Sequence, residues 1–329
     1  MRAGIVGKGF IGAVHALALR SLGVEVAWEA GRADDLEALL DGDRVDVLHV
    51  CTPNHLHANQ ALAALERGIH VVCEKPLAVS SDECEALVAA ADNTKLITAV
   101  GYHTRSYPLV EHMRAEVAAG ALGEIAFVHG RYLCDDVLFP ASGWRVDPAQ
   151  SGPAYVVGDL GTHWLDLAEH VTGQHASSVL ADFRSFAGGP LEDYAALLLR
   201  FDGGAAGSLV LSVGAAGRKN QLLFEVEGRN AGFTWDQERP AEALNRPVDG
   251  PKQVVVKDPM TNAEPARALS RYPAGHGEGY GGAFRNLFEQ VYAAVEGREH
   301  APFPTFRDGA RGVAAVEAAV ESRGSWVTL

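Results

Sequence analysis

The N-terminal stretch constrains the fold of this chain more than any other segment. A short apolar run ends in Gly7-Lys8-Gly9-Phe10-Ile11-Gly12, a G-x-G-x-x-G pattern, and apolar residues then recur at helical spacing as far as Leu22. This order predicts a strand, a tight turn and a helix. The first glycine permits the turn, the second lets the backbone approach a pyrophosphate, and the third lets the helix pack closely on the strand. Because the free N–H groups and the positive dipole end of the helix would face such a ligand, we predict a dinucleotide-binding turn. An unliganded strand-to-helix turn is the alternative.

Composition narrows the class of partner. The chain has 329 residues, of which 47% are hydrophobic and 21% charged, as expected for a globular protein large enough for two cores. Its formal net charge of -14 argues against nucleic acid and anionic membranes, which would both repel it, and favours a small-molecule substrate. We expect a cytoplasmic protein, because no basic and apolar leader opens the chain and no apolar run approaches the ~18 residues that span a bilayer.

The cysteines are expected to be reduced and structural. None of them belongs to a C-x-x-C pair, and two of them end apolar runs where a small hydrophobic residue fits. The sequence therefore predicts no metal site. The four residues are Cys51, Cys73, Cys84 and Cys134.

The second strand leaves the adenosine end of a dinucleotide site open. Residues 24–28 are typical of a strand, and a dinucleotide-binding fold usually presents an acid at the end of that strand to the ribose. Glu29 is the nearest candidate, with a solvated surface acid as the alternative. Residues 34–40 already predict a short capped helix, which leaves little room for a full βαβ unit of about 30 residues. Either the unit is abbreviated or a segment is missing, and the choice between NAD and NADP stays open.

Two later strands end in polar residues that we expect at the cofactor. Ligands of open α/β sheets lie outside the carboxyl ends of the strands, here after residues 45–51 and 69–73. Lys75, which precedes a proline, is a charge in an unusual place unless it meets a ligand, although an ordinary solvated lysine is the alternative. Asn54 also suits the cap of the helix that follows. The expected contacts at these two strand ends are Thr52, Pro53, Asn54, His57, Glu74 and Lys75.

The sequence changes character near Gly123. Strands and helices alternate before it, and strand-like segments separated by turns follow at 124–133, 178–186, 193–201, 207–213 and 222–227. An alternating region followed by a run of strands predicts an α/β protein with a second, antiparallel-sheet domain. We therefore predict a dinucleotide-binding domain at residues 1–123 and a second domain at residues 124–329.

One predicted helix interrupts these strands and carries acid–base residues. Within residues 158–173, Asp159, His163 and Asp166 fall at positions i, i+4 and i+7, so they share one helix face. An acid one turn before a histidine can orient and polarise its ring. A capped structural helix explains the same pattern equally well.

Three features in this order resemble the Gfo/Idh/MocA family, the relatives of glucose-fructose oxidoreductase and myo-inositol dehydrogenase. They are the glycine motif at 7–12, Cys51-Thr52-Pro53-Asn54 with Glu74-Lys75-Pro76, and Gly158-Asp159-Leu160-Gly161-Thr162-His163 followed by Asp166. Leu122-Gly123-Glu124-Ile125 and Trp144-Arg145 fit too, so the resemblance spans nearly the whole chain. It implies a Rossmann domain followed by an α/β domain with a large, mostly antiparallel open sheet that binds substrate and commonly packs in dimers or tetramers. The chain departs from the family in its short second βα unit and in a tight passage at 187–190.

The resemblance also implies roles for single residues. The lysine that matches Lys75 contacts the substrate hydroxyl and the nicotinamide region, and the histidine that matches His163 is the usual acid/base. The aspartate that matches Asp159 positions the substrate or the histidine. Core packing is the alternative for each aromatic residue among the secondary candidates, His276 fits a loop role better than a catalytic one, and Trp144 with Arg145 could stack and hydrogen-bond near the nicotinamide or substrate. These secondary candidates are Tyr102, Arg105, Tyr132, Trp144, Arg145, His276 and Tyr280.

These residues lead us to expect a reversible hydride transfer between the nicotinamide of NAD or NADP and a secondary alcohol carbon of a sugar, polyol or cyclitol. A histidine with an ordinary pKa near ~6.5 can accept the hydroxyl proton around neutrality, and Lys75 would stabilise developing alkoxide charge. One alternative is tightly held NAD used for transient oxidation before glycoside cleavage or epimerisation. The other is a non-catalytic, dinucleotide-responsive regulator, against which the presence of both Lys75 and His163 argues.

Overall fold

The chain folds as two units, and each unit is built from three separate segments of the sequence. The computed structural model describes residues 1–136, 143–189 and 191–329. The first unit consists of Met1–His103, Ala149–Gly152 and Tyr280–Val313, and the second unit of Thr104–Pro148, Pro153–Gly279 and Ala314–Leu329. This division differs from the single boundary that the sequence predicts at residue 123, because the chain leaves the first unit at His103 and later returns to it.

The first hundred residues alternate strands with helices. Their elements are β1 (Arg2–Val6), α1 (Phe10–Ser21), β2 (Glu25–Ala30), α2 (Leu36–Gly42), β3 (Val47–Val50), α3 (His57–Glu66), β4 (His70–Cys73), α4 (Ser81–Asp92) and β5 (Thr98–Val100). The strands form one parallel sheet in the order β2-β1-β3-β4-β5. Val47 and Leu48 are neighbours in β3 but belong to different apolar clusters, so apolar side chains cover both faces of the sheet. The predicted Rossmann fold is confirmed.

The rest of the chain is rich in strands. Its elements are α5 (Pro108–Ala118), β6 (Ile125–Leu133), α6 (Pro148–Ser151), α7 (Thr162–Thr172), β7 (Ala176–Arg184), β8 (Tyr194–Phe201), β9 (Ala206–Ser212), β10 (Gln221–Gly228), β11 (Ala231–Asp236), β12 (Glu242–Pro247), β13 (Gln253–Val256), α8 (Glu264–Leu269), α9 (Tyr280–Val295), α10 (Phe306–Ser322) and β14 (Val327–Thr328). Among the described residues, no helix combines the length and the hydropathy that a membrane crossing needs.

Nine strands of the second unit form one large sheet. Their order is β13-β12-β11-β10-β6-β9-β8-β7-β14, and β6 with β9 is the parallel pair in an otherwise antiparallel arrangement. The predicted large, mostly antiparallel sheet is confirmed. The sequence pattern does not predict β11 to β14, which are short and lie between turns. The passage at 187–190 leads from β7 towards β8; Gly188 has a φ of +73° there, and Pro190 lies outside the described residues.

Helix α9 belongs to the first unit although it follows the strands of the second. Phe284, Phe288 and Val291 recur at the spacing of one helix face and share an apolar cluster with Ala16 and Leu19 of α1. An amphipathic pattern shows that a helix packs on something, but not on which sheet. The return of the chain to the first unit was therefore not predictable from periodicity.

Candidate active site

The glycine turn after β1 leaves room for a phosphate ligand. Gly7 has a φ of +110°, and a Cβ there would lie 2.3 Å from the Cys51 carbonyl oxygen; at Gly12 it would lie 1.9 Å from the Gly7 carbonyl oxygen. Both positions therefore require glycine. By contrast, no described atom lies within 4 Å of where a Cβ on Gly9 would be. Helix α1 begins at Phe10, and in the described structure no side chain caps its N-terminus. The open space and the free N–H groups fit the pyrophosphate of a dinucleotide.

The acid predicted to bind the ribose faces elsewhere. Strand β2 continues two residues beyond its predicted end at Trp28, so Glu29 lies inside the strand and Ala30 ends it. Arg20, in the last turn of α1, donates to the Glu29 carboxylate at 2.6 Å. At 1.5 Å per residue, that arginine lies about 15 Å along α1 from the glycine turn. The prediction that Glu29 contacts the ribose thus loses its geometric basis.

The connection from β2 to β3 is abbreviated. Helix α2 has seven residues, and the Asp35 carboxylate caps it by accepting the Ala38 N–H at 3.2 Å, as the predicted capped helix requires. Because β1 lies between β2 and β3 in the sheet, this short helix makes up the helical part of the crossover.

The turn after β3 holds its own side chains. The Asn54 amide donates to the Ser151 carbonyl at 2.9 Å and does not cap the next helix. The two ring nitrogens of buried His57 each lie 2.9 Å from a carbonyl oxygen, one of Thr52 and one of Pro76. His57 therefore ties the end of β3 to the turn after β4. These contacts show that the side chains of Asn54 and His57 shape the turn. The backbone of the turn, at the end of β3, remains the predicted cofactor contact.

A buried carboxylate precedes the predicted catalytic lysine. Glu74 is 6% exposed, and its Oε1 lies 3.1 Å from Nε2 of His15. A Cβ on Gly101 would lie 2.2 Å from the same oxygen, so only glycine fits beside it. Burial alone would raise the pKa of Glu74, but the hydrogen bond from His15 and the charge of Lys75 lower it. Glu74 is thus ionised next to Lys75, whose peptide bond to Pro76 is cis. The sequence predicts Glu74 as a cofactor contact. In the structure its carboxylate contacts His15.

A chain of buried polar groups extends from Glu74 into the first unit. Nδ1 of His15 lies 3.0 Å from Nδ1 of His49, and Nε2 of His49 lies 3.1 Å from the Tyr292 hydroxyl. Burial lowers the pKa of His49, so its ring is neutral. One assignment satisfies these three contacts: the Tyr292 hydroxyl donates to His49, His49 donates to His15, and His15 donates to ionised Glu74. The sequence did not predict these hydrogen bonds. The available signal was His15, a histidine among the apolar positions of α1.

His103 is a second residue that sequence reasoning missed. Its ring stacks on Phe284 with centroids 4.5 Å apart and meets Tyr280 edge-on at 4.8 Å. Burial lowers the pKa of His103 to about 4; the nearby charge of Glu74 opposes this shift and that of Lys75 adds to it. His103 is therefore a neutral aromatic neighbour of the Glu74–Lys75 pair at physiological pH.

In the second unit, the predicted acid–base helix begins with a wider turn. Residues Val157–Gly161 form a π-helical turn that continues into α7, and such turns are frequent at functional sites. Glu192 accepts the Val156 N–H at 2.9 Å and so holds the start of the turn. Asp159 lies on the turn, and its carboxylate is 3.9 Å from Nε of Arg145. Asp159 therefore lies on a π-helical turn, whereas His163 lies on the regular α-helix α7.

His163 is buried beside a phenol. Its ring centroid lies 6.2 Å from that of Tyr132, whose hydroxyl donates to Oδ1 of Asn220 at 2.8 Å. Burial raises the pKa of Tyr132, so the phenol stays protonated at neutral pH. Tyr132 can donate a hydrogen bond here but is unsuited to accept a proton.

Other predicted contacts are engaged within the protein. Tyr102 is fully buried in the apolar core of the first unit, which agrees with the alternative of core packing. Arg105 donates from Nε to Asp166 at 2.8 Å in a two-point ion pair, with both side chains largely buried. This pair assigns Asp166 to holding Arg105. These contacts give no support to Tyr102 or Arg105 as a substrate ligand.

The remaining candidates differ in exposure. The Arg145 guanidinium stacks over the ring of Trp144, 4.5 Å from its centroid, on a short 3-10 turn at Trp144–Val146. Both residues are available to a ligand because neither is buried. His276 is exposed in its loop. Tyr280 stacks on Phe10, which extends from the glycine turn with centroids 6.2 Å apart.

The described residues contain one group with the spacing of metal ligands. It consists of His129, Glu225 and Glu227 on the nine-stranded sheet. The Arg246 guanidinium already pairs with both carboxylates, at 3.2 Å from Glu225 and 2.5 Å from Glu227. The cluster therefore has a cation of its own.

Comparison with known proteins gives matches along both units. A family model described as an oxidoreductase family with an NAD-binding Rossmann fold matches residues 19–102, and one described as a GFO/IDH/MocA C-terminal domain matches residues 110–234. An oxidoreductase of Bacillus subtilis (strain 168) named YfiI, itself described as uncharacterized, is 31% identical over 306 residues, covering 87% of this chain and 78% of that protein.

Two solved structures are similar to this chain over its full length. An inositol dehydrogenase homolog from Azotobacter vinelandii, in complex with NADH and myo-inositol, has a TM-score of 0.91 at 30% identity, covering 100% of this chain and 97% of that one. A levoglucosan dehydrogenase in complex with NADH and levoglucosan has a TM-score of 0.88 at 27% identity, covering 100% of this chain and 99% of that one.

The His15–Glu74 contact predicts a large and non-additive loss of stability. His15→Ala removes the partner of a buried carboxylate and should lower the free energy of unfolding by about 3–5 kcal/mol. In urea denaturation at neutral pH, the double variant His15→Ala with Glu74→Gln should lose less than the sum of the two single losses, because the amide carries no charge. Exposed His276→Ala is the control and should change stability by less than about 0.5 kcal/mol. Additive losses would contradict the pairing.

The lowered pKa of His103 predicts a loss of stability in mild acid. The unfolded chain binds a proton at the ordinary histidine pKa while the folded chain does not, so stability falls as the pH drops from about 6.5 towards 4. His103→Phe keeps an aromatic ring and removes this titration. Between pH 7 and pH 5, the thermal midpoint of the variant should fall less than that of the wild type. Parallel pH profiles would show that His103 is not the responsible group.

Proposed function

Because this chain belongs to the Gfo/Idh/MocA family of NAD(P)-dependent oxidoreductases, we propose that it oxidises a secondary alcohol of a sugar, polyol or cyclitol, or reduces the matching ketone. The observation that carries the proposal is the glycine turn, where Gly9 and the uncapped start of α1 leave a cradle that fits a pyrophosphate. The NADH complexes of the two solved relatives with myo-inositol and with levoglucosan support a carbohydrate or polyol substrate.

The dinucleotide would be held mainly by the first unit. When bound, it supplies the hydride acceptor and donor. The backbone of the glycine turn would bind the pyrophosphate, and the ends of β3 and β4 would contact the nicotinamide half. The residues proposed to hold it are Gly7, Gly9, Phe10, Ile11, Gly12, Thr52, Pro53 and Lys75 of the first unit, with Trp144 and Arg145 of the second.

His163 is proposed to move the proton of the substrate hydroxyl. Its burial near Tyr132, a phenol that burial keeps protonated, leaves the histidine as the better base of the two. Asp159, one helical turn earlier, would position the substrate or the ring. Tyr132 would donate a hydrogen bond and not accept a proton.

Lys75 is proposed to stabilise alkoxide charge that develops on the substrate oxygen. Its neighbour Glu74 is held by His15, and His57 fixes the turn that follows. Both contacts limit where the lysine backbone can lie. We infer that Glu74 and His57 act through the position of Lys75, without contacting the reacting atoms.

Two rival functions keep the same fold. An enzyme that oxidises its substrate transiently, before glycoside cleavage or epimerisation, would release no net reduced dinucleotide. A regulator would bind the dinucleotide without turnover. Net formation of reduced dinucleotide from a panel containing myo-inositol, levoglucosan and common sugars separates the proposed dehydrogenase from both. A cytoplasmic location is part of the proposal and agrees with four free cysteines.

We also propose that the outer face of the nine-stranded sheet joins copies of the chain as a dimer or tetramer. Apolar side chains on three of its strands are exposed: Phe127 on β6 by 45%, Leu198 on β8 by 49% and Val210 on β9 by 38%. Strands β6, β9 and β8 are neighbours in the sheet. A row of exposed apolar residues on adjacent strands is the kind of surface that association buries.

The assignment of Lys75 and His163 predicts losses of turnover without loss of binding. Lys75→Ala and His163→Ala should each lower kcat by at least about 100-fold, the usual size of a lost acid–base or electrostatic contribution. Affinity for the dinucleotide, measured by fluorescence titration, should change by less than about threefold, since the glycine turn that binds the pyrophosphate is untouched and Lys75 adds a single contact at the nicotinamide end. Exposed Lys95→Ala and His276→Ala are the matched controls. Near-full activity in either site variant would remove that residue from the mechanism.

The proposed interface predicts that a charge on the sheet face separates the copies. Leu198→Asp buries a carboxylate in any such contact and should shift the mass measured by light scattering from a dimer or tetramer to the monomer. Val248→Asp changes an exposed valine outside the strands and should leave the mass unchanged. A monomeric wild type, or an unchanged mass for Leu198→Asp, would exclude this face as the interface.

A further inference from the structure

The end of β2 presents no carboxylate to the glycine turn. Glu29 pairs with Arg20 in the last turn of α1, and Ala30, the final strand residue, is buried. This strand end adjoins the turn, because the Gly7 N–H donates to the Ala30 carbonyl at 2.8 Å. The next residue is Gly31, which has no side chain. The place where NAD-binding folds present an acid to the ribose is therefore occupied by a glycine.

The two acids further along this loop already have structural roles. Oδ2 of Asp34 accepts the Gly31 N–H at 2.7 Å and lies 3.3 Å from Nζ of Lys8. The Gly31 hydrogen bond, and then Lys8, lower the pKa of Asp34, so the carboxylate is ionised and its charge is balanced. Asp35 caps α2 through the Ala38 N–H. The carboxylates thus fix the loop and the helix start.

Arg32 is the charged residue of the loop with no such role. It follows Gly31 directly, its side chain is exposed, and no residue in the described ranges 1–136, 143–189 and 191–329 accepts a hydrogen bond from it. The planar guanidinium carries a permanent charge and matches the oxygens of a phosphate with two parallel hydrogen bonds. A ribose hydroxyl offers neither the charge nor that geometry.

We propose that the loop after β2 selects NADP(H) over NAD(H), with Arg32 binding the 2′-phosphate on the adenosine ribose. Gly31 favours NADP(H) because it has no side chain, whereas a carboxylate at this position would repel the phosphate. The inference rests on the proposed function, since it requires a dinucleotide on the glycine turn. It also distinguishes this chain from the two solved relatives, which hold NADH.

Equilibrium titrations with four probes test this selection. NADPH and NADH are compared first, and 2′,5′-ADP and 5′-AMP then repeat the comparison without the nicotinamide. The wild type should bind each 2′-phosphorylated probe at least about tenfold more tightly than its partner, the effect of one exposed charge-assisted contact. Arg32→Ala should remove that preference and leave NADH affinity within about twofold. The preference should shrink as sodium chloride rises, because an exposed ion pair is screened.

A reciprocal variant and a matched control sharpen the test. Gly31→Asp restores an acid at the strand end. Gly31 does not adopt a left-handed φ, and its Cβ would lie 3.3 Å from Cδ of Lys8, part of a flexible side chain that can move. This variant should favour NADH over NADPH. Glu29→Gln should leave all four affinities unchanged, because that carboxylate faces Arg20.

The outcomes separate the two proposals. NADH and 5′-AMP binding as tightly as their phosphorylated partners, or an unchanged NADPH affinity in Arg32→Ala, would overturn the selection and leave the dehydrogenase function standing. A selective loss of NADH binding in Glu29→Gln would also overturn it, since Glu29 would then be the ribose acid. Failure of all four probes to bind would overturn the proposed function together with the selection.

Discussion

The first unit depends on the contact between a buried carboxylate and a histidine on the dinucleotide helix. A buried charge costs several kcal/mol unless a partner compensates it, and His15 compensates Glu74 at 3.1 Å. His49 and Tyr292 continue the hydrogen bonds across β3 to α9. The helix that starts at the proposed phosphate site therefore also holds the residue before Lys75.

In the second unit, an ion pair and a capped turn organise the helix that carries His163. Asp166 holds Arg105, and Glu192 holds the backbone where the π-helical turn begins. Three acids on this helix or at its start thus have distinct tasks. Asp166 and Glu192 support the helix, and Asp159 is left as the carboxylate proposed to face the substrate. Sequence spacing alone placed Asp159 and Asp166 in one group, and their contacts separate them.

Local patterns predicted the parts of the fold that local interactions determine. The glycine turn, the capped helix predicted at 34–40 and observed at 36–42, and the strands β6 to β10 follow from backbone requirements and residue periodicity. The return of α9 to the first sheet did not follow, because it depends on packing between residues about 275 positions apart, such as Ala16 and Val291. The short strands at the sheet edge offered too few residues for a pattern.

The site was predictable in its chemistry and less so in its geometry. The motifs placed Lys75 and His163 at a strand end and on a helix, where the structure has them. Glu29, the predicted ribose acid, lies inside a strand two residues longer than predicted and pairs with Arg20. His57 and Arg105 were expected to meet ligands but bind protein groups, which spacing cannot reveal. His15 and His103 were missed because a buried histidine resembles an ordinary core position until its partners are known.

The most direct test of the central claim follows the hydride itself. Substrates from the sugar and polyol panel, deuterated at their secondary carbinol carbons, would be incubated with the protein and oxidised dinucleotide, and the released dinucleotide analysed by mass spectrometry. The account predicts that deuterium accumulates on the nicotinamide ring of the reduced dinucleotide, in proportion to the ketone formed. Dinucleotide that binds but gains no deuterium from any substrate in the panel would contradict a net dehydrogenase.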